Sequence, residues 1–546
     1  MNAYQKRGFR SYLGEILVLL ATAVLFSFAF PGFLSESGFG AIAFVALIPL
    51  FAVIRSTSWK ALPFYGFLFG FSFYTCFNYW LTTFHPLAIL LVPIIKGAEM
   101  VLLFPALKAA DRWFKRYGFA LQALIWVAYS YLSQSWFAGY PYGTISSAVY
   151  TFLPFIQIAE FSGIWLITFI MILPQTFLGR YVADQFTSQR SNFGQFLHRY
   201  IGCIISYGVV LIAVFIFGFV RLAQWTDKEP DLNWRVATVQ HSADSWKGGY
   251  DTYKRNFNAL RTMSLQALAE NPDMILWSET AFVPSVYWHT TYKTDEATSE
   301  LVDEFVAFGK SLPVPLLTGN PEGVIKDASK PPLNADGTWN RMDYNTVIMF
   351  ENGEIKRTYR KQHLVPFTEH FPYEKSLPWL YRLLLANDYN WWEKGYDPVV
   401  FETDAHVKFS TPICFEDVFG YLAARFVRNG ADVIVNMTND SWSGAVSAEM
   451  QHLALAVFRS VENRKSTIRG TNSGMTALIT PTGKIVDPMP PFVKGWKIYD
   501  VPIYTSNKHT FYTVHEDILA HIAIWASGML LAFGALGCVV KLRKRG

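Results

Sequence analysis

Three residues in the central part of the chain have side chains suited to covalent catalysis: Cys414, Glu279 and Lys361. A cysteine attacks a carbonyl as its thiolate, so a base must first take the thiol proton. A carboxylate such as Glu279 meets that need and later relieves an incoming nucleophile of its own proton. A fixed cation such as Lys361 stands where negative charge develops on the substrate oxygen. The three describe acyl transfer through a thioester. Taken singly none carries the argument, because a lone cysteine is most often inert core, a glutamate after a strand a solvated turn, and a lysine after a hairpin a surface charge. Their setting carries it. They occur in the order Glu, Lys, Cys within Trp277-Ser278-Glu279-Thr280-Ala281, Lys361-Gln362-His363-Leu364-Val365-Pro366-Phe367-Thr368-Glu369 and Ile413-Cys414-Phe415-Glu416. The other three cysteines, Cys76, Cys203 and Cys538, fall inside apolar stretches, so Cys414 has no disulfide partner in its own domain.

Each of the three residues is expected just past a strand. A short apolar strand over 274–277 ends before Glu279. Strands over 345–350 and 355–359 flank Glu351-Asn352-Gly353-Glu354, whose Asn-Gly pair signals a tight hairpin, and Lys361 follows it. A strand over 407–413 leads to Cys414, then a helix over 417–428 with Val418, Leu422 and Phe426 at helical spacing, then a strand over 433–436. A strand at 234–240, a helix at 253–269, a helix at 300–310 and a strand at 314–318 complete an α/β pattern from about 225 to 510. In α/β sheets, ligands and catalytic groups collect past the ends of strands. Between a strand and a helix N-terminus, Cys414 is expected to meet partial positive charge and unbonded N–H donors, which lower a thiol pKa and hold an oxyanion.

The rest of the chain has another solvent. Of 546 residues 51% are hydrophobic and 17% aromatic, with only 16% charged, which places part of the chain in lipid. Seven apolar stretches precede the α/β region, at 12–30, 38–54, 61–82, 86–107, 118–134, 150–179 and 200–222, and an eighth covers 517–540. The expected organisation is a membrane domain of seven transmembrane helices over 1–224, a catalytic domain over 225–510, and a last span with a basic tail over 511–546. The first stretch reads as a permanent anchor, since no small-residue cleavage site follows it. Basic residues gather in alternate loops: Lys6, Arg7 and Arg10, then Arg55 and Lys60, then Lys108, Arg112, Lys115 and Arg116, then Arg180, Arg190 and Arg199, and finally the tail 541–545. By the positive-inside rule both termini are expected in the cytoplasm and the catalytic domain outside it. Lys96 and Glu99, one turn apart, and Gln157 and Glu160 are polar within spans, by mutual neutralisation or by contact with a lipid head group. The run 136–143 reads as an interfacial aromatic belt. A formal charge of +5 with no basic face argues against nucleic acid as a partner. The histidines lack metal-ligand spacing and no phosphate-binding glycine loop occurs, so neither metal nor cofactor is expected.

With these motifs the chain resembles the nitrilase superfamily and, within it, the apolipoprotein N-acyltransferases of diderm bacteria. The resemblance covers nearly the whole chain, including Asn439-Asp440-Ser441-Trp442, the stretch from Arg459 to Arg464, and Arg469-Gly470-Thr471-Asn472-Ser473-Gly474. It implies an α-β-β-α sandwich carrying a Glu-Lys-Cys triad, on Glu279, Lys361 and Cys414 here. It further implies two stages at the outer face of the bacterial inner membrane. Cys414 takes an acyl chain from a phospholipid, typically the sn-1 ester of phosphatidylethanolamine, and the chain passes to the α-amino group of the diacylglyceryl-cysteine of an apolipoprotein. Glu369, Phe415 and Glu416 fall at positions that shape the family's site, and a monomer is expected. The chain departs from the family at Ser278 (usually proline), Phe415 (commonly tyrosine) and Ser443 (usually phenylalanine); Phe415 removes a hydroxyl. The enzymatic rival is a membrane-anchored amidase with water as acceptor; a transporter or scaffold leaves the ordered triad unexplained. Two aromatic, apolar stretches inside the catalytic domain, 282–292 and 373–392, read as arms that dip into the outer leaflet.

Overall fold

The computed structural model describes residues 9–84, 88–136, 138–186, 192–244, 247–335, 337–371, 373–386, 391–505 and 508–543. Lys6, Arg7, Arg190, Lys544 and Arg545 of the expected basic loops lie outside the described residues. The chain forms two units, one made of residues up to Thr226, Met450–Phe458 and His515–Gly546, the other of Asp227–Glu449 and Arg459–Val514.

Among the described residues of the first unit, five helices are long and apolar enough to cross a membrane: Arg10–Ser27, Ile89–Trp113, Ile164–Gln185, Ile201–Thr226 and Ile518–Lys541. The stretches expected at 38–54 and 61–82 form the shorter apolar segments Gly40–Ser56 and Leu62–Phe77, and that at 118–134 forms the helix Gly118–Ser135. Ile205, Val209, Ile212, Ile216 and Phe219 on Ile201–Thr226 are exposed, the pattern of a helix whose solvent is hydrocarbon. The helix expected over 150–179 is broken. Short turns occupy Leu153–Ile156 and Ala159–Ser162, and Gly163, at φ 57° and ψ −151°, starts the long helix at Ile164 in a conformation that only glycine adopts readily.

Polar groups within this unit pair with one another. Lys96 lies 3.2 Å from Glu99 and 2.6 Å from Ser133 Oγ, and Glu160 pairs with Arg221, a partner the sequence reading did not supply. The described residues of the aromatic run at 136–143 also make contacts inside the unit. Trp136 donates to Glu99 at 2.9 Å, Tyr140 donates to Asn78 at 2.9 Å, and the Tyr140 and Tyr142 rings stack at 5.0 Å.

The second unit is built on strands β1 (Leu232–Gln240), β2 (Met274–Leu276), β3 (Leu316–Ile325), β4 (Arg341–Glu351), β5 (Glu354–Arg360), β6 (Trp392–Glu393), β7 (Val400–Glu402), β8 (Lys408–Ser410), β9 (Val433–Thr438), β10 (Ser466–Thr471), β11 (Ala477–Ile479), β12 (Ile485–Val486) and β13 (Gly495–Ile503). One sheet runs β13-β1-β2-β3-β4-β5 with β6 beside β4; the other runs β12-β11-β10-β9-β8-β7. They meet face to face where Trp234 packs on Phe409 at 5.4 Å and where a Cβ on Gly470 would strike Leu276 at 2.7 Å. Helices Tyr250–Leu268 and Glu296–Ser311 cover the first sheet, burying Phe257, Leu260, Val302 and Phe305 against Val239, Ile275 and Phe350. Helices Gly420–Arg428 and Val446–Asn463 accompany the second; Ser460 Oγ on the latter lies 2.7 Å from Thr467 Oγ1 on β10. The result is an α-β-β-α sandwich.

The two expected arms part company. Phe282 and Val286 belong to the core of the first sheet and Trp288 is fully buried, so 282–292 is anchored in its own domain, with Val283 and Tyr287 left exposed. The helix Pro378–Leu385 buries no residue and leaves Trp379 64% and Leu383 54% exposed, an apolar face without cover in its own unit. Residues 387–390 of the second stretch lie outside the described residues.

Candidate active site

Glu279 stands three residues past β2 in a turn where Thr280 has φ 45°. The turn lies so close to β3 that a Cβ at Gly319 would sit 2.3 Å from Thr280 N, so only glycine fits there. Lys361 follows β5, and its amide donates to Asn345 O on β4 at 2.9 Å. Asn345 Nδ2 in turn donates to Glu279 Oε1 at 2.8 Å, and Asn439 N, just past β9, donates to Glu279 Oε2 at 2.9 Å. The carboxylate is held from two strand ends. Lys361 Nζ, fully buried, lies 2.8 Å from Glu369 Oε1 and 3.4 Å from Glu279 Oε1. Glu369 Oε2 accepts the Val365 amide at 2.9 Å, which closes the segment between lysine and glutamate into a loop.

Cys414 differs from the expectation in its local frame. Strand β8 stops at Ser410, and Cys414, at φ 49°, opens a single 3₁₀ turn, Cys414–Val418; the α-helix starts only at Gly420. One tight turn has little macrodipole, so the lowered thiol pKa expected from a helix N-terminus does not arise. Burial, Glu279 and Asp440 push the Cys414 thiol well above its ordinary value, with Lys361 opposing them. Asp440 Oδ1 is 4.0 Å from the sulfur. Burial also raises Glu279 above the usual carboxylate range, against the pull of Lys361. For Lys361 burial works downward, but Glu369, Glu279 and Cys414 outweigh it and hold the amine well above the ordinary lysine value. The resting site is a thiol, a base that must be ionised to act, and a permanent cation.

Glu416, two residues past the cysteine, is fully buried and ties the parts together. Its Oε1 accepts the amides of Gln362 at 2.6 Å and His363 at 2.9 Å, its Oε2 accepts the amide of Ile413 at 2.8 Å, and Tyr359 OH donates at 2.8 Å. One carboxylate thus joins the residue before Cys414 to the two residues after Lys361. Burial pushes its carboxyl up to about 7, opposed by Ile413 N–H, Lys361 and the other amides. A folded value above the unfolded one means a contribution present in acid and lost as pH rises towards 7. Glu416→Gln puts an amide NH₂ against N–H donors. The variant is expected to lose about 3 kcal/mol of stability in acid, a deficit that shrinks as pH rises towards 7, and to turn over more slowly than its parent because the turns bearing Lys361 and Cys414 are no longer tied. Thermal melts and turnover measured on one preparation check this. Phe415 lies 5.8 Å from His363 and 5.0 Å from Phe419 as part of an aromatic wall.

All six residues singled out from the sequence, Glu279, Lys361, Cys414, Glu369, Phe415 and Glu416, fall in this cluster. Asn345, the Asn439 amide and Asp440 were missed as members. A signal for Asn345 existed: it opens the apolar run Thr346-Val347-Ile348-Met349-Phe350, where an asparagine fits only with partners. Ser443, one of the departures noted above, donates to Glu449 at 2.7 Å.

Comparison with known proteins agrees with both units. Residues 22–176 match the model of the apolipoprotein N-acyltransferase N-terminal domain, and residues 235–506 that of carbon-nitrogen hydrolases. The chain is 35% identical over 522 residues to apolipoprotein N-acyltransferase 1 of Treponema denticola, covering 94% of each chain. It is 34% identical to apolipoprotein N-acyltransferase 1 of Treponema pallidum, covering 98% of each. Among solved structures it is similar to Nit3 of Saccharomyces cerevisiae, a nitrilase-superfamily protein, at 20% identity and a TM-score of 0.35, over 50% of this chain and 92% of that one.

Proposed function

Because the chain belongs to the apolipoprotein N-acyltransferase family, and is thus a multi-pass membrane acyltransferase of lipoproteins, we propose that it works in two stages through a thioester on Cys414. In the first stage Glu279 takes the Cys414 proton and the sulfur attacks the sn-1 ester carbonyl of a membrane phospholipid, phosphatidylethanolamine being the expected donor. The oxyanion forms beside the Lys361 cation. The C–O bond then breaks, the proton on Glu279 passes to the departing alkoxide, and a lysophospholipid leaves. In the second stage the α-amino group of an N-terminal diacylglyceryl-cysteine attacks the thioester. Glu279 removes an amine proton, the C–S bond breaks, and the proton returns to the sulfur. Each stage moves one proton from nucleophile to leaving group, Lys361 keeps its charge throughout, and no cofactor is required. Glu369 holds Lys361, Glu416 holds the turn of Cys414, and Phe415 walls the site.

The observation that carries this reading is the meeting of Glu279, Lys361 and Cys414 from three separate strand ends, with Lys361 buried between two carboxylates. The location we propose is the bacterial inner membrane, with both termini cytoplasmic, the catalytic domain periplasmic and the enzyme monomeric; the alternating basic loops support the orientation. The test is to incubate the purified enzyme with phosphatidylethanolamine alone and examine the Cys414 peptide by mass spectrometry. One acyl adduct, discharged by a diacylated lipopeptide, is the expected result. Active enzyme with no adduct excludes the thioester, and an adduct discharged as fast by water as by the lipopeptide points to the amidase.

A further inference from the structure

The helical unit contains a groove that the reaction above does not use. It has a volume of about 520 Å³ and runs between the first turns of the helix Ile201–Thr226 and the helix Ile164–Gln185, a size typical of ligand sites. Its walls are apolar along Phe169, Leu173 and Val210, and Arg116, in a loop, and Arg199, the last residue of the helix Phe193–Arg199, line it at one end. Thr176 Oγ1 donates to Phe119 O at 2.9 Å, which fixes that end of the groove beside the Arg116 loop. Arg180 adds a third cation there: its guanidinium lies 5.8 Å from the Tyr200 ring and donates to the carbonyls of Lys115 and Arg116.

Charge decides what fits. Elsewhere in the unit the basic groups of Arg55, Lys96 and Arg221 are each matched by a carboxylate. Arg116 and Arg199, both exposed, have no ion pair among the described residues. A greasy slot ending in unmatched guanidiniums suits an amphiphile with an acidic head. Cationic pockets between transmembrane helices at the positive-inside end bind anionic lipid head groups. The helix Ile201–Thr226 is also thinly covered, since only Val214 and Gly218 are buried along its 26 residues.

We propose that this groove binds one anionic phospholipid, its phosphate against Arg116 and Arg199 and an acyl chain along Phe169, Leu173 and Val210, bracing the helix Ile201–Thr226. The groove lies along the first turns of that helix, from Gly202 to Val210. The chain enters its second unit at Asp227, at the helix's other end. On this proposal the lipid is a structural ligand of the helical unit, its role separate from that of the acyl donor.

The test uses the full-length protein in detergent, delipidated and then titrated with phosphatidylglycerol, phosphatidylcholine or inorganic phosphate. Native mass spectrometry counts retained lipid, and thermal unfolding reports stabilisation. Phosphatidylglycerol is expected to remain bound at one per chain and raise the melting temperature, while phosphatidylcholine and phosphate leave it unchanged. The double variant Arg116→Gln/Arg199→Gln is expected to retain at least ten-fold less phosphatidylglycerol. Ser206→Trp, which fills the slot and leaves both arginines, is expected to do the same. Equal stabilisation by phosphatidylcholine, a shift with phosphate alone, or undiminished retention in both variants overturns the proposal.

Discussion

Cys414→Ser is expected to lower turnover by about 10⁴-fold or more while leaving the melting temperature within about 3 °C of the parent. The reason lies in how little the site does to ionise its own nucleophile. Burial, Glu279 and Asp440 all hold the sulfur in its neutral form and outweigh Lys361 and a Thr438 hydrogen bond, so attack depends on proton transfer to Glu279 at the moment of reaction. A serine hydroxyl is a far weaker acid than a thiol, and the same carboxylate, itself raised by burial, is too weak a base to deprotonate it. The same electrostatics set the pH dependence. Glu279 acts as a base only when ionised, so the rate of Cys414 acylation is expected to rise with pH through the raised value of Glu279. Single-turnover acylation across a pH series measures this. A serine variant that retains a tenth of the parent's turnover places the nucleophile elsewhere.

What could be read from the sequence, and what could not, follows from the range of the forces involved. The hairpin that delivers Lys361 was legible because Asn352-Gly353 imposes its turn locally, Asn352 at φ 49° and Gly353 at φ 79°. Glu279 and Lys361 were placed correctly past strand ends; the pattern of elements gave an α/β domain, and the α-β-β-α class was implied by the family resemblance. The frame of Cys414 was misread because Val407-Lys408-Phe409-Ser410 looks like the start of a longer strand. What ends it at Ser410 and opens a 3₁₀ turn is Glu416, bonded to Ile413 N and to two amides more than 50 positions away. No local pattern contains that information. The same holds for residues 282–292, whose aromatic content resembles that of 373–392 although Phe282 stacks on Phe305 at 4.0 Å and Trp379 stays exposed. Composition describes a segment's appetite for burial, not the surface that satisfies it. Asn345 and Asn439 were passed over for a related reason: their contribution is a single hydrogen bond each to Glu279, visible only once β4 and β9 lie on either side of it.

Lys361→Met tests the other half of the site, and its expected effect is on stability as much as on rate. The parent side chain is fully buried, 2.8 Å from Glu369 and 3.4 Å from Glu279. Methionine replaces the stem with little change in volume but leaves two buried carboxylates with no cation between them. Removing one partner of a buried ion pair costs about 3–5 kcal/mol, and the loss is expected at neutral pH. Turnover is expected to fall by a further factor of about 10²–10³ in whatever enzyme remains folded, since the oxyanion loses its facing charge. The sign of the pH effect separates this from a packing defect. Glu279 already lies above the usual carboxylate range through burial, and without Lys361 it moves further up, so the folded variant binds protons more tightly than the unfolded chain. A raised folded value gives stability that is present in acid and lost as pH rises through it. The deficit relative to the parent is therefore expected to be small near pH 4 and to grow towards pH 7. Adding Glu369→Gln, which removes one of the two stranded charges, is expected to recover part of the deficit at pH 7 and none of the turnover. Thermal melts of the parent and both variants at the two pH values distinguish the cases. A deficit independent of pH and unmoved by the second substitution assigns Lys361 to packing alone.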